Sequence, residues 1–181
     1  MITFPNAKIN LGLNIVSRRP DGYHNIETVF YPIPLTDSLE IVPAEGSEST
    51  LTCYGRVVDC PTEKNLVMKA YRMMEKEFGL PPVDIYLVKH IPDGAGLGGG
   101  SSDASFCMKM LNDMFKLGCT AEQLAKMASK IGADCPFFIH NKPMMATGIG
   151  DEFTPTDVCL KGKHLLLVKP DVSAPTKAAY A

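Results

Sequence analysis

Five of the seven residues from Gly94 to Gly100 are glycine, and the run is framed by an apolar alternating segment before it and an apolar-periodic one after it. The stretch Pro92-Asp93-Gly94-Ala95-Gly96-Leu97-Gly98-Gly99-Gly100-Ser101-Ser102 therefore demands a strand, a tight loop and a helix in direct succession. Without Cβ atoms the backbone can take positive φ and approach a ligand closely, so successive N–H groups can converge on an anion. The following helix adds its unpaired N-terminal donors and the positive end of its dipole. A flexible linker is the alternative, but linkers are seldom framed by an apolar strand and an apolar-periodic helix. Phosphate binding is the favoured reading.

The flanking pattern is mixed α and β. Residues 7–16 alternate, with Ile9, Leu11, Leu13 and Ile15 on one face and Lys8, Asn10, Gly12 and Asn14 on the other, which predicts a half-buried strand with a polar face. Turn chemistry over Arg19–Tyr23 predicts a reversal into a second strand near Asn25–Tyr31, and short strands are expected at Ser38–Val42 and Ser49–Cys53, a β-meander or similar sheet. Asn65 is a good N-cap for a helix through Phe78, with Val67, Ala70, Met74 and Phe78 on its buried stripe and Gly79-Leu80-Pro81-Pro82 as the stop. Val83–Ile91 reads as a strand entering the glycine loop, and Ala104, Met108, Leu111 and Phe115 mark the buried stripe of the helix leaving it. Thr120-Ala121-Glu122-Gln123 has the form of a capping box opening a helix to about Ile131. Phe137–His140, Met144–Gly148 and Leu165–Lys169 are expected as short strands, with a domain boundary near residues 150–160.

Composition narrows the function classes. With 45% hydrophobic and 21% charged residues the chain of 181 is neither disordered nor membrane-embedded. A net charge of −2 leaves no electrostatic footprint for non-specific binding to nucleic acid or acidic membranes. Met1-Ile2-Thr3-Phe4-Pro5 lacks the basic and apolar regions of a secretory signal, so a cytoplasmic protein is expected. The six cysteines form no C-x-x-C pair and have no partnered histidine spacing, which argues against zinc and disulfides and for reduced, mostly buried thiols.

Several nucleotide loops compete for the glycine run. Gly94-Ala95-Gly96-Leu97-Gly98-Gly99 fits the dinucleotide fingerprint, but that unit requires a parallel strand after its helix, and here a second helix is expected. Walker A fails because no Gly-Lys-Ser/Thr closes the loop, and a protein-kinase loop fails because no His-Arg-Asp or Asp-Phe-Gly follows. Read as P-x-G-x-G-L-G-G-G-S-S, Pro92–Ser102 resembles the ATP-phosphate loop of the GHMP kinase superfamily of small-molecule kinases. Four flanking motifs, Pro5–Leu11, Arg19–His24, Ile131–Phe138 and Pro170–Thr176, are similar to those of the branch that phosphorylates a cytidine diphosphate methylerythritol in non-mevalonate isoprenoid synthesis. The similarity covers essentially the whole chain.

The resemblance implies an α+β fold: a two-layer GHMP-kinase N-terminal domain over 1–155, and over 156–181 the start of a truncated ferredoxin-like C-terminal domain. It implies ATP and Mg²⁺ as cofactors and a small cytidine diphosphate substrate as partner, with neither nucleic acid nor membrane. Asp134, in a small and apolar setting past a helix terminator, matches the catalytic carboxylate that accepts the substrate hydroxyl proton; the less favoured alternative is a cap of the next turn. Lys8, otherwise a surface lysine, is put beside that carboxylate, where its charge would lower the hydroxyl pKa. Asn10 shares its face as a substrate contact. Tyr23 and His24, otherwise a packed aromatic and a satisfied histidine, match the holders of the cytidine end, and Tyr180 a second aromatic against cytosine. Asn65 and Lys89 match positions near adenine and ribose, against the alternatives of a helix cap and an exposed strand residue. Ser101 or Ser102 would lie near Mg²⁺ bridging the ATP phosphates, with no all-protein metal cage. The family's later glycine-rich motif is absent, so the expectation is a fragment that binds ATP weakly and turns over poorly. Rival readings are a GHMP kinase for mevalonate, homoserine or a sugar, and a non-catalytic phosphate-binding or nucleic-acid-binding module on the same fold.

Overall fold

A computed structural model describes residues 1–56 and 60–170 of the chain. In sequence order its elements are strands β1 (Ile2–Thr3), β2 (Asn6–Arg18), β3 (His24–Thr36), β4 (Ser38–Pro43) and β5 (Thr50–Gly55), a 3₁₀ turn at Thr62–Lys64, helix α1 (Leu66–Phe78), strand β6 (Val83–Lys89), helices α2 (Gly99–Met114), α3 (Ala121–Ala128) and α4 (Cys135–His140), and strands β7 (Met144–Thr147) and β8 (Glu152–Pro155). The opening strands do not form one meander. They divide into two four-stranded sheets, ordered β1-β4-β6-β5 and β2-β3-β7-β8. β5 and β6 run parallel across the α1 crossover, and every other pair is antiparallel.

Alternation along β6 buries Val83, Ile85 and Leu87, which with Leu39 and Ile41 of β4 form the sheet side of the main core. Onto it pack Val67, Met68, Ala70, Tyr71 and Met74 of α1 and Ala104, Cys107, Met108 and Leu111 of α2. Asn65 caps α1 by accepting from the Val67 N–H at 2.9 Å, and Gly79 closes it at φ 66°. The buried stripe ends at Met74, since Phe78 is 38% exposed. The capping box of α3 is present in full, although the helix stops at Ala128 and a turn carries the chain to Ile131.

Phe137–His140 is helical, not extended. Pro136 occupies the first turn of α4, where its missing N–H costs nothing, and the helix is buried from Cys135 to Ile139, packed against α2 and α3. Cys135 and Ile139 enter the main core, while Phe137 and Phe138 join Phe30, Met144 and Ala146 of the second sheet. A short, uniformly apolar run carries no period from which helix and strand can be told apart.

Three further expectations are corrected. β2 is half-buried only as far as Leu11: at Gly12, φ 69°, the ladder to β3 shifts register, and beyond it Leu13 and Ile15 are exposed because the hairpin outruns the body that covers its start. Residues 165–169 form no strand and have no strand beside them among the described residues, and Leu166 is 86% exposed. The cysteines are free but not mostly buried: Cys107 and Cys135 are buried, Cys60 and Cys119 partly so, and Cys53 and Cys159 exposed. No helix among the described residues is long and apolar enough to cross a membrane.

Candidate active site

The glycine loop runs from the end of β6 to the first turn of α2 and walls a cleft of about 210 Å³, lined by Leu66, Lys89, Ile91 and every residue from Pro92 to Ser101. Gly94, Gly96 and Gly98 all have positive φ, at 61°, 69° and 69°, which turns the backbone tightly around the cleft. Of the lining residues, Ile91 and Leu97 pack with Ala7 and Ile33 in a small apolar cluster. Gly98 is the N-cap of α2 and packs closely: a Cβ there would lie 2.8 Å from the Phe138 ring and 3.3 Å from Cε of Lys8. The backbone N–H of Lys8 donates to the Leu97 carbonyl at 2.9 Å, so the loop and β2 are joined directly.

Lys8 and Asp134 meet beside this junction. The ammonium is 3.6 Å from Oδ2 of Asp134, donates to Oδ1 of Asn10 at 2.8 Å and sits 4.3 Å from the centroid of the Phe30 ring. Lys8 is buried, whereas the Asp134 side chain is 34% exposed and open to a ligand. Burial pulls the Lys8 ammonium below the ordinary lysine range, and the Asp134 carboxylate opposes the shift. Asp134 occupies the N-cap position of α4 but makes no capping bond, so the turn-cap alternative is not realised. Ser105 ties the supports together, its hydroxyl lying 2.8 Å from the carbonyls of both Ser101 and Cys135.

Lys89 is not an exposed strand residue. It falls on the buried phase of β6 with Val83, Ile85 and Leu87, and its ammonium pairs with Asp37 and, at 2.6 Å, with Asp103. The alternation over residues 83–89 carries that signal, but nothing local marks Asp37 or Asp103 as its partners. Two buried carboxylates face one ammonium, so one carboxyl is forced toward its neutral form. Burial, opposed by Lys89 and reinforced by Asp37, pushes Asp103 up to about 7. Burial lowers Lys89, but the two carboxylates more than offset this and the net shift is upward.

The other candidates are spread out. Asn65 is spent as the α1 cap, beside the Leu66 that lines the cleft. Tyr23, 61% exposed, and His24 sit at the far end of the β2–β3 hairpin. His24 pairs with Arg18, whereas Asn10 pairs with Phe30, six residues further along the strand, roughly 20 Å away at the usual rise per residue. Tyr180 and all but the first residue of the Pro170–Thr176 motif lie outside the described residues. Ser101 lines the cleft, while Ser102 is fully buried with an unpartnered hydroxyl. No cluster of three or more His, Cys, Asp or Glu side chains that could hold a metal exists among the described residues. Phe30 and Phe138, which shape the surroundings of Lys8, carry no sequence signal beyond core hydrophobicity.

An anion cradle abutting an ammonium–carboxylate pair is suited to moving a phosphoryl group onto a hydroxyl. Residues 65–142, which include the loop, α2 and Asp134, match the model of the GHMP kinases N terminal domain. The 4-diphosphocytidyl-2-C-methyl-D-erythritol kinase of Bacteroides fragilis is 58% identical over 183 residues, covering 100% of this chain and 67% of the relative. The chain thus spans about two thirds of the length of the curated relatives it matches. Among solved structures, a 4-(cytidine 5'-diphospho)-2C-methyl-D-erythritol kinase superposes with a TM-score of 0.74 at 36% identity, over 86% of this chain and 55% of that one. Methanococcus jannaschii mevalonate kinase shares the fold alone, with a TM-score of 0.65 at 16% identity over 87% of this chain and 56% of its own. On the whole-chain identity to the B. fragilis enzyme, supported by the loop and the fold, the chain belongs to the 4-diphosphocytidyl-2-C-methyl-D-erythritol kinase family of the GHMP kinases.

Proposed function

We propose that this chain binds ATP on the Gly94–Ser102 loop and transfers its γ-phosphoryl group to the tertiary hydroxyl of 4-diphosphocytidyl-2-C-methyl-D-erythritol, a step of non-mevalonate isoprenoid synthesis. The observation that carries the reading is the hydrogen bond from the Lys8 N–H to the Leu97 carbonyl of the loop, which brings the cradle and the Lys8–Asp134 pair to one point. Loop N–H groups and the N-terminus of α2 hold the phosphates. Mg²⁺, when bound to them, offsets their charge, with Ser101 facing the same cleft. Asp134, one-third exposed and not engaged in a capping bond, takes the proton as the hydroxyl oxygen attacks phosphorus and the bond to the ADP oxygen breaks. Lys8, held by Asn10 and Phe30, stabilises the charge developing on that oxygen. The alcohol end of the substrate is assigned to Asn10 and its cytidine end to Tyr23 and His24 at the far end of the hairpin.

The test is turnover of ATP, Mg²⁺ and the cytidine substrate by the wild-type chain beside Asp134→Asn. A positioned base contributes about 10²–10⁴-fold, so the variant should lose that much in kcat while retaining ATP affinity. Equal rates would remove Asp134 from the chemistry. Replacing the acceptor by mevalonate, homoserine or a sugar should abolish ADP release, and preference for any of these would redirect the assignment within the superfamily.

A further inference from the structure

Beneath the glycine loop lies a linked set of three buried titratable side chains that the mechanism does not use. Asp37, between β3 and β4, is 0% exposed, Lys89 6% and Asp103 1%. One carboxylate oxygen of Asp37 accepts from the Lys89 ammonium, which also donates to Oδ2 of Asp103 at 2.6 Å. The other accepts from the backbone N–H groups of His90 at 2.5 Å and Ile91 at 2.8 Å, the two residues between β6 and Pro92. The N–H of Asp37 donates to the Pro5 carbonyl at 2.9 Å, just ahead of β2. A Cβ on Gly99 would lie 3.3 Å from Nζ of Lys89, so the ammonium sits under the junction of loop and helix.

Desolvated ion pairs are weak stabilisers, and apolar replacements often do as well, so such a cluster is better explained by the geometry it imposes. The geometry at stake is that of a glycine-rich segment whose N–H directions would otherwise average over many conformations. Asp37 grips its incoming end through two N–H groups, its outgoing end through Lys89 and Asp103, and the start of β2 through Pro5. We propose that Asp37 is a positioning residue for nucleotide binding, anchoring both ends of the phosphate loop through Lys89, Asp103 and the His90 and Ile91 amides. The inference rests on the reading of the loop as the ATP cradle. Being wholly buried, Asp37 cannot touch the nucleotide, and any effect on binding passes through what it holds.

The experiment is equilibrium dialysis of ATP with Mg²⁺, and separately of cytidine diphosphate, against the full chain and Asp37→Asn, with thermal unfolding recorded for both. ATP affinity should fall about tenfold or more while cytidine diphosphate affinity stays within about twofold, the signature of a misdirected cradle in a folded protein. A folded variant with unchanged ATP affinity, or with equal losses for both ligands, overturns the proposal. Should Asp37→Asn fail to fold, Asp103→Asn, which weakens the anchor at the outgoing end of the loop without touching the cleft lining and leaves the Asp37–Lys89 pair in place, is put to the same comparison and should lose ATP affinity alone. A wild-type chain that binds no ATP sinks the phosphate-loop reading and this inference with it. Wild-type binding with an unaffected variant sinks the inference alone.

Discussion

Gly98 is where backbone conformation and packing constrain a single position at once. Its φ of 69° disfavours any side chain, and a methyl group would meet the Phe138 ring at 2.8 Å. Left-handed backbone costs a non-glycine residue roughly 1–2 kcal/mol before the clash is counted. Gly98→Ala should therefore weaken ATP binding by about tenfold or more, read by nucleotide titration, and wild-type affinity would show that the loop tolerates a wider path. Single residues were unevenly legible from sequence. The glycines announce themselves, because few other roles explain so many together. Lys89 needed only the period of its strand, which places it with Val83, Ile85 and Leu87 facing inward. Asp37 was not legible at all: an aspartate between two strands reads as a turn residue, and its buried role depends on partners 52 and more positions away.

Elements with start and stop chemistry were the readable ones. Asn65 and Gly79 bound α1 as expected, and Thr120 with Gln123 forms the box that opens α3, the Gln123 N–H reaching the Thr120 hydroxyl at 3.2 Å and the Thr120 N–H reaching Oε1 of Gln123 at 2.8 Å. Thr120→Ala should destabilise the protein by about 0.5–2 kcal/mol. In thermal unfolding that is a drop of a few degrees, with ATP affinity unchanged because α3 does not line the cleft; an undiminished midpoint would mean that packing alone holds α3. Elements defined by their surroundings were misread. α4 has six residues and no period, and only the two cores on either side of it, with Pro136 in its first turn, make it helical. The distal half of β2 was expected to bury Leu13 and Ile15, but the ladder shifts register at Gly12 and both are exposed, with no element among the described residues packed over them.

Across the whole molecule, the strand pattern could be read as β-rich but not as two sheets, because the choice of partner strand is a long-range property that local alternation does not encode. Stability against pH is another such global quantity. The Asp103 carboxyl titrates at about 7 when folded, above its ordinary range. A raised value makes its contribution complete below about pH 4 and lost as pH climbs through about 7. Asp103→Asn, which cannot titrate, should therefore gain on the wild type: its unfolding midpoint minus that of the parent should rise between about pH 5 and about pH 8. A difference that stays flat would show that the carboxyl does not ionise in this window. The hydrogen bond from the Lys8 N–H to the Leu97 carbonyl belongs to the main chain, so it is indifferent to side-chain identity. Of the twenty residue types, only proline at position 8 would delete its donor. The alignment between loop and strand is thereby insulated from sequence drift, and the exposed hairpin tip around Tyr23 can change its side chains without disturbing it.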